Sequence, residues 1–266
     1  MGLVLDVVAR TALLPVLIAQ AVSVRKKAMK LPEPPGARQG QLGDGPDLKL
    51  LIVGDSSAAG VGVETQQEAL SGQVTTQLAG TYCVDWCLVA RTGFTTRDTI
   101  RHLQRQNDKT YDVIVVALGV NDVTRLLPLG LWRKQVEQLA GLLRVQFGAQ
   151  HICFSGVPPM GGFPLLPNPL RWVLGRHSIR LDQGLRRFVA AQPDCSYVAL
   201  DLPLDQSAMA IDGFHPGAQV YAAWADRISA AIIERQSKDD LQQSGEIVSQ
   251  VHVSYTHLRA HETTSS

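Results

Sequence analysis

Five short apolar runs alternate with segments of helical spacing along this chain. That order predicts one doubly wound α/β domain built on a mainly parallel sheet. The runs are Leu48–Val53, Cys83–Val89, Val113–Leu118, His151–Ser155 and Ser196–Leu200. They lack the polar/apolar alternation of a half-exposed strand, as strands covered on both faces do. The 266 residues are 45% apolar, enough to bury a sizeable core.

The helix candidates fall between the runs. Gln66–Ala79 follows the first and Thr95–Gln106 the second, with Thr95 or Thr96 as N-cap. Leu131–Phe147 places Val136, Leu139, Leu142, Leu143 and Phe147 near helical spacing. Leu170–Ala191 is longer and Arg-rich, and its arginines read as a solvated face. Pro216–Glu234 closes the domain, with Pro216 suited to a first helical turn. Residues 48–235 therefore form the domain, and Leu31–Asp47, rich in Pro and Gly, reads as a linker.

The ends of the chain carry different signals. Thr11–Val24 is apolar but too short to span a bilayer as a helix. Arg25, Lys26 and Lys27 follow it instead of preceding it, which argues against a signal peptide despite Ala19-Gln20-Ala21. Residues 1–47 are read as an amphipathic helix plus linker, the helix (within residues 1–30) lying on the domain or on a membrane surface. The expected location is cytoplasmic or peripherally membrane-associated, with secretion as the alternative. Residues 236–266 form a polar tail, and VHVSYTHLRAHETTSS has the appearance of cloning-derived sequence. His252, His257 and His261 in it carry no metal-site expectation.

Charge and cysteine content narrow the function classes. A formal net charge of +1 gives no basic stripe for nucleic acid. Cys83 and Cys87 lie roughly 13 Å apart at strand rise, too far to bridge each other. With Cys153 and Cys195 they read as buried free thiols, and metal spacing is absent. No cofactor is expected.

In open parallel sheets, ligands bind beyond the carboxyl ends of the strands. Here those ends carry Gly54-Asp55-Ser56-Ser57, Arg91-Thr92-Gly93, Gly119-Val120-Asn121-Asp122, and Asp212-Gly213-Phe214-His215. This is an inventory for acyl transfer. A serine hydroxyl is a weak nucleophile without a base, and neutral His215 suits Ser56. Asp212, three residues earlier, would hold the other ring nitrogen. An oxyanion needs preorganised donors, which the amides of Ser56 and Gly93 and the Asn121 side chain offer. Asp55, Ser57 and Asp122 read as loop-stabilising groups, and His102, His151 and His177 as structural.

These four blocks, in this order, resemble those of the SGNH (GDSL-type) hydrolases. The resemblance covers roughly residues 48–234. It implies a flavodoxin-like three-layer α/β/α domain with a central, mainly parallel five-stranded sheet, and ester hydrolysis without a metal. It makes Ser56 nucleophile and first oxyanion donor, Gly93 and Asn121 the further donors, His215 the base and Asp212 its partner. Ser57 stands where the family usually has Leu, and ARTGFTT matches the second block loosely.

The reading is a serine hydrolase acting on small-molecule carboxylic esters of short to medium acyl chain. Lysophospholipase, thioesterase and sugar deacetylase are alternatives within the fold. A flavin- or phosphate-binding module is the alternative outside it, since GDSSAAGVG is glycine-rich, but it lacks G-K-[ST] and G-x-G-x-x-G. An interaction module without catalysis is a third. Gly156–Trp172, apolar and Pro-rich, is a candidate wall for an acyl pocket.

Overall fold

A computed structural model describes residues 13–27, 29–201 and 207–239. Expectations for residues 1–12, and for the tail from residue 240 with its three histidines, lie outside the described residues. The chain divides into two compact units, Met1–Ser229 and Ala230–Ser266. Of the second, residues 230–239 are described; they are helical and carry the surface pairs Glu234–Lys238 and Arg235–Asp239.

The first unit opens with helix α1 (Leu14–Lys27), then strands β1 (Gln39–Leu42) and β2 (Asp47–Gly54). Helix α2 (Leu70–Leu78), β3 (Cys83–Ala90), α3 (Thr96–Leu103) and β4 (Val113–Ala117) follow. Next come α4 (Val120–Thr124), α5 (Leu129–Phe147), β5 (His151–Ser155), a 3₁₀ turn at Met160–Gly162, α6 (Leu170–Ala190) and β6 (Cys195–Val198). Helix α7 begins at residue 218. The strands form one sheet in the order β1-β3-β2-β4-β5-β6, and helices cover both faces in three layers.

The expected five strands become six. The sixth, β1, pairs antiparallel with β3 inside the segment read as a linker. Its sequence, Gln-Gly-Gln-Leu, is exposed throughout and has no apolar pattern to announce it. Side chains tie this segment down. Glu33 accepts from the Thr92 amide and hydroxyl, both at 2.8 Å, and from Arg38 at 2.8 Å.

The remaining pairs are parallel. Alternation splits each buried strand between two cores. Leu51, Val53, Ile114, Val116, Ile152 and Phe154 pack in one cluster with α3, α5 and α6. Leu50, Ile52, Val113 and Val115 are fully buried on the opposite face. On that side Gln77 of α2 donates to Asp226 of α7 at 2.6 Å.

Two element boundaries differ from expectation for identifiable reasons. Helix α2 starts at Leu70, not Gln66. The Gln66 side chain is buried and donates to the carbonyls of Ala59 (2.8 Å) and Pro34 (3.2 Å), which holds it in a turn. Pro216 is not helical: it forms an isolated bridge with Met209. The N-terminal helix is not amphipathic. Its inner side buries Leu17 and sets Gln20 against the start of α6, while Leu14, Val16, Ile18 and Val22 stay exposed. All four cysteines are free, but only Cys153 is fully buried.

Thr95 caps α3 in a reciprocal capping box with Asp98, as the sequence spacing allows. The same helix start is fixed by Asp122, which is fully buried and accepts from the Thr96 amide (3.1 Å) and hydroxyl (2.8 Å). Burial raises the Asp122 carboxyl, and the Thr96 hydrogen bonds oppose that rise. Replacing Asp122 by Ala would leave two buried donors unmatched. Urea unfolding of Asp122→Ala is expected to show a loss of roughly 2–3 kcal/mol.

Candidate active site

The topology sets where the site lies. Chain order runs from β2 to β3 on one side and then crosses to β4 on the other. The crevice between the carboxyl ends of β2 and β4 is thus the switch point of the sheet. The Gly54–Ser57 block leaves β2 there, and Gly119–Asp122 leaves β4.

The two ends lie very close. A Cβ on Gly54 would sit 2.4 Å from the Ala117 carbonyl oxygen and 2.4 Å from the Ala58 side chain, so only glycine fits. The Asp55 amide then donates to the Ala117 carbonyl at 3.3 Å. Asp55 turns its carboxylate back onto the Ser57 amide at 3.0 Å, which closes a side-chain turn around Ser56. The loop is anchored further on by buried Tyr221, whose hydroxyl donates to the Val61 carbonyl at 2.8 Å.

A clasp of chain holds the opposite wall. The Ala210 amide donates to the His215 carbonyl (2.9 Å) and the Gly217 amide to the Ala208 carbonyl (3.0 Å). Between them, Gly213 takes a positive φ of 64° and turns the chain so that Asp212 and His215 face one way. Gly62 meets this clasp, where a Cβ would come within 2.3 Å of the Pro216 carbonyl oxygen.

Three of the expected residues meet directly. His215 Nε2 lies 3.0 Å from Ser56 Oγ. Its Nδ1 lies 2.6 Å from Asp212 Oδ2. Asp212 Oδ1 accepts from the amides of Phe214 and His215, each at 3.0 Å. Ser56 and Asp212 are buried, at 7% exposure each. Burial alone would raise the Asp212 carboxyl; hydrogen bonds from the His215 ring and the two amides outweigh it and hold it below the usual carboxylate range.

Asn121 reaches the site through Asp55. Its Nδ2 donates to the Phe94 carbonyl at 2.9 Å and leans on Asp55 Oδ2 at 3.4 Å. One N–H fixes the amide plane and the other makes only a long contact. Gly93 sits in the turn after β3 with φ 85° and no atom within 4 Å of a Cβ position. The amides of Ser56 and Gly93 donate to no group among the described residues. The Gly93 turn is gripped from two sides, by Glu33 on Thr92 (2.8 Å) and by Arg125 on the Gly93 carbonyl (3.1 Å). Glu33 and Arg125 carried no signal in the sequence.

Beside these groups lies a narrow apolar pocket of about 40 Å³, room for about three waters. Gly156, Pro158 and Phe163 of the Pro-rich loop line it together with Phe214 and Trp224. Asp55 and Ser57 also line it, on either side of Ser56. His151 and His177 stand away from this cluster, bonded to Ser196 Oγ (2.9 Å) and the Leu127 carbonyl (3.0 Å).

Asp55 is the second carboxylate of the site, and its surroundings act oppositely to those of Asp212. Burial pushes it up to about 6; the Ser57 amide and His215 pull it down, and Asp122 pushes it further up. An acid raised on folding binds its proton more tightly in the native state. Its stabilising contribution is full below 3.8 and lost as pH rises through about 6. The melting-temperature difference between Asp55→Asn and the parent protein should therefore shift in the variant's favour from pH 4 to pH 6.5. A difference that stays flat across that window would show that Asp55 ionises normally.

With this geometry in place, comparisons with known proteins identify the lineage. No curated protein sequence matches the chain. Solved structures share the fold at low identity. The lipase Lip_vut3 from a goat rumen metagenome is 16% identical, with TM-score 0.57, over 69% of this chain and 97% of its own. The psychrotrophic esterase EstA from Pseudoalteromonas sp. is 16% identical, with TM-score 0.55, over 71% and 98%. A lipase/acylhydrolase from Enterococcus faecalis is 20% identical, with TM-score 0.54, over 71% and 96%. The model of the GDSL-like lipase/acylhydrolase family matches residues 52–223, so the chain belongs to that family of hydrolases.

Proposed function

We propose that this protein hydrolyses carboxylic esters of short acyl chain through an acyl-enzyme on Ser56. The observation that carries the reading is the unbroken line from Ser56 Oγ to His215 (3.0 Å) and from His215 to Asp212 (2.6 Å).

In this reading His215 Nε2 takes the Ser56 proton as Oγ attacks the ester carbonyl. Asp212, kept ionised by three donors, holds the Nδ1–H tautomer and stabilises the imidazolium that forms. The tetrahedral oxyanion is met by the amides of Ser56 and Gly93 and by Asn121 Nδ2, whose weaker contact with Asp55 is the one to yield. His215 then protonates the leaving alcohol. Water, deprotonated by the same ring, releases the acid and regenerates Ser56.

The pocket beside Ser57 favours the short end of the acyl range. Its volume of about 40 Å³ is small, which favours short acyl groups over long ones. Phe163, packed edge-to-face on Phe214 at 5.3 Å, forms part of its wall.

Fluorophosphonate labelling tests the nucleophile. Mass spectrometry is expected to place one adduct on Ser56, and Ser56→Ala is expected to lose about 10⁶-fold in kcat. An adduct on Ser57, or an active Ser56→Ala protein, would overturn the assignment. A series of aryl esters tests the pocket: kcat/KM should peak between acetate and butyrate and move to longer chains in Phe163→Ala. A parent optimum at octanoate would place the acyl group elsewhere.

A further inference from the structure

Helix α1 has an uncovered side that its sequence does not explain in water. From Leu13 to Val24 no residue is charged. A helix apolar all round is normally covered all round. Here the inner line of Leu13, Leu17 and Val24 packs on the main core cluster. The outer positions Leu14, Val16, Ile18 and Val22 are 45–55% exposed.

The neighbouring helix adds to that surface. Gln20 joins α1 to α6 by accepting from the Leu170 amide (3.0 Å) and donating to the Asn168 carbonyl (2.6 Å). Two residues on, Trp172 is 42% exposed with the Arg176 guanidinium 5.5 Å above its ring. Ile179, one further turn along the same side, is 52% exposed. An exposed Trp beside a cation is the composition of a membrane–water boundary, where an amphipathic ring and a charged head sit at headgroup level.

The sequence on both sides of the patch is basic. No acidic residue occurs from Leu13 to Pro32 or from Leu166 to Leu181. The first stretch holds Arg25, Lys26, Lys27 and Lys30; the second holds Arg171, Arg176 and Arg180. The sequence next to the exposed apolar side chains is thus locally basic in a chain whose formal net charge is only +1. Leu14, Ile18, Val22 and Lys26 follow one another at four-residue spacing, so the apolar stripe ends in an ammonium that can reach upward from it. The loop from 156 to 169 connects this surface to the pocket: Phe163 lines the pocket, and Asn168 holds Gln20.

We propose that the outer face of α1, with Trp172 and Ile179 of α6, docks on an anionic lipid bilayer, lying in the plane of its interface. Aliphatic side chains enter the headgroup boundary while the basic residues pair with acidic lipid heads. The occupant is a membrane, because exposed aliphatic side chains followed in sequence by a basic run at residues 25–30, with Trp172 stacked under a cation, match an acidic lipid interface.

The test uses the full chain and vesicles of phosphatidylcholine with and without about one third phosphatidylserine. Sedimentation should carry the protein down with the anionic vesicles, and much less with neutral ones. Raising salt from about 0.1 to 0.5 M should weaken the binding, because screening reaches exposed charges. Ile18→Glu with Val22→Glu should lower vesicle partitioning by at least about tenfold, since each aliphatic side chain contributes to insertion. Trp172→Ala should lower it several-fold. Circular dichroism melts of these exposed-site variants should match the parent, which shows that the fold is kept. Absence of binding to anionic vesicles, or equal binding by the double variant, would overturn the proposal. So would a dimer that the double variant dissociates without any vesicle binding, which would assign the face to a second copy. None of these readouts depends on ester hydrolysis, so the surface and the Ser56 reading stand or fall separately.

Discussion

Everything at the reactive edge depends on how closely β2 and β4 approach at their carboxyl ends. Gly54 lies against the Ala117 carbonyl with no room for a Cβ. That contact lets the Asp55 amide bond across the gap and starts the next loop immediately beyond the sheet. A side chain at Gly54 would push the strands apart. Ser56 would then no longer be buried within bonding distance of His215, which arrives from residues 159 positions later in the chain. The glycine answers a packing demand of the sheet, and the chemistry inherits the geometry.

Around that contact, the loops are held by buried polar groups and not by periodic structure. Gln66 satisfies the carbonyls of Ala59 and Pro34, Tyr221 satisfies that of Val61, and Asp122 satisfies both donors of Thr96. Each group is desolvated, so losing its partner costs more than making the bond gained. Loops fixed in this way stay put without belonging to a strand or helix. This holds Ser56 and His215 on two separate loops, while Asn121 sits in the one-turn helix α4 that leaves β4.

Much of this was legible in the sequence, for specific physical reasons. The central strands β2, β4 and β5 announce themselves because burial on both faces demands unbroken apolar runs, as Leu50–Val53 and Val113–Ala117 show. Edge strand β1 faces no such demand: all four of its residues are exposed, and its pairing with Cys87–Val84 comes from backbone bonds. The candidate site residues stood out because small residues and polar groups end apolar runs abruptly. Their supports did not. Asp55 meets Asn121 across 66 residues, and Glu33 grips Thr92 across 59. Nothing local in a Pro-rich segment marks Glu33 for that task. Helix α2 failed as a boundary prediction because Gln66, a good helix former, is used for its amide instead.

The two carboxylates nearest the reactive atoms show how environment divides one residue type into two roles. Asp212 and Asp55 are both buried, and desolvation raises both. Asp212 receives three hydrogen bonds, two from fixed amides and one from the His215 ring, and ends below its usual value. Asp55 receives one good bond from Ser57 and a long one from Asn121, and ends near 6. Asp55 is also the more deeply buried of the two, so depth and the count of donors act in the same direction. A carboxylate that must stay charged beside an imidazole needs the fuller shell. A carboxylate that only ties two loops together does without it, and its sparse shell leaves one Asn121 N–H weakly held, the N–H that the proposed oxyanion role of Asn121 would use.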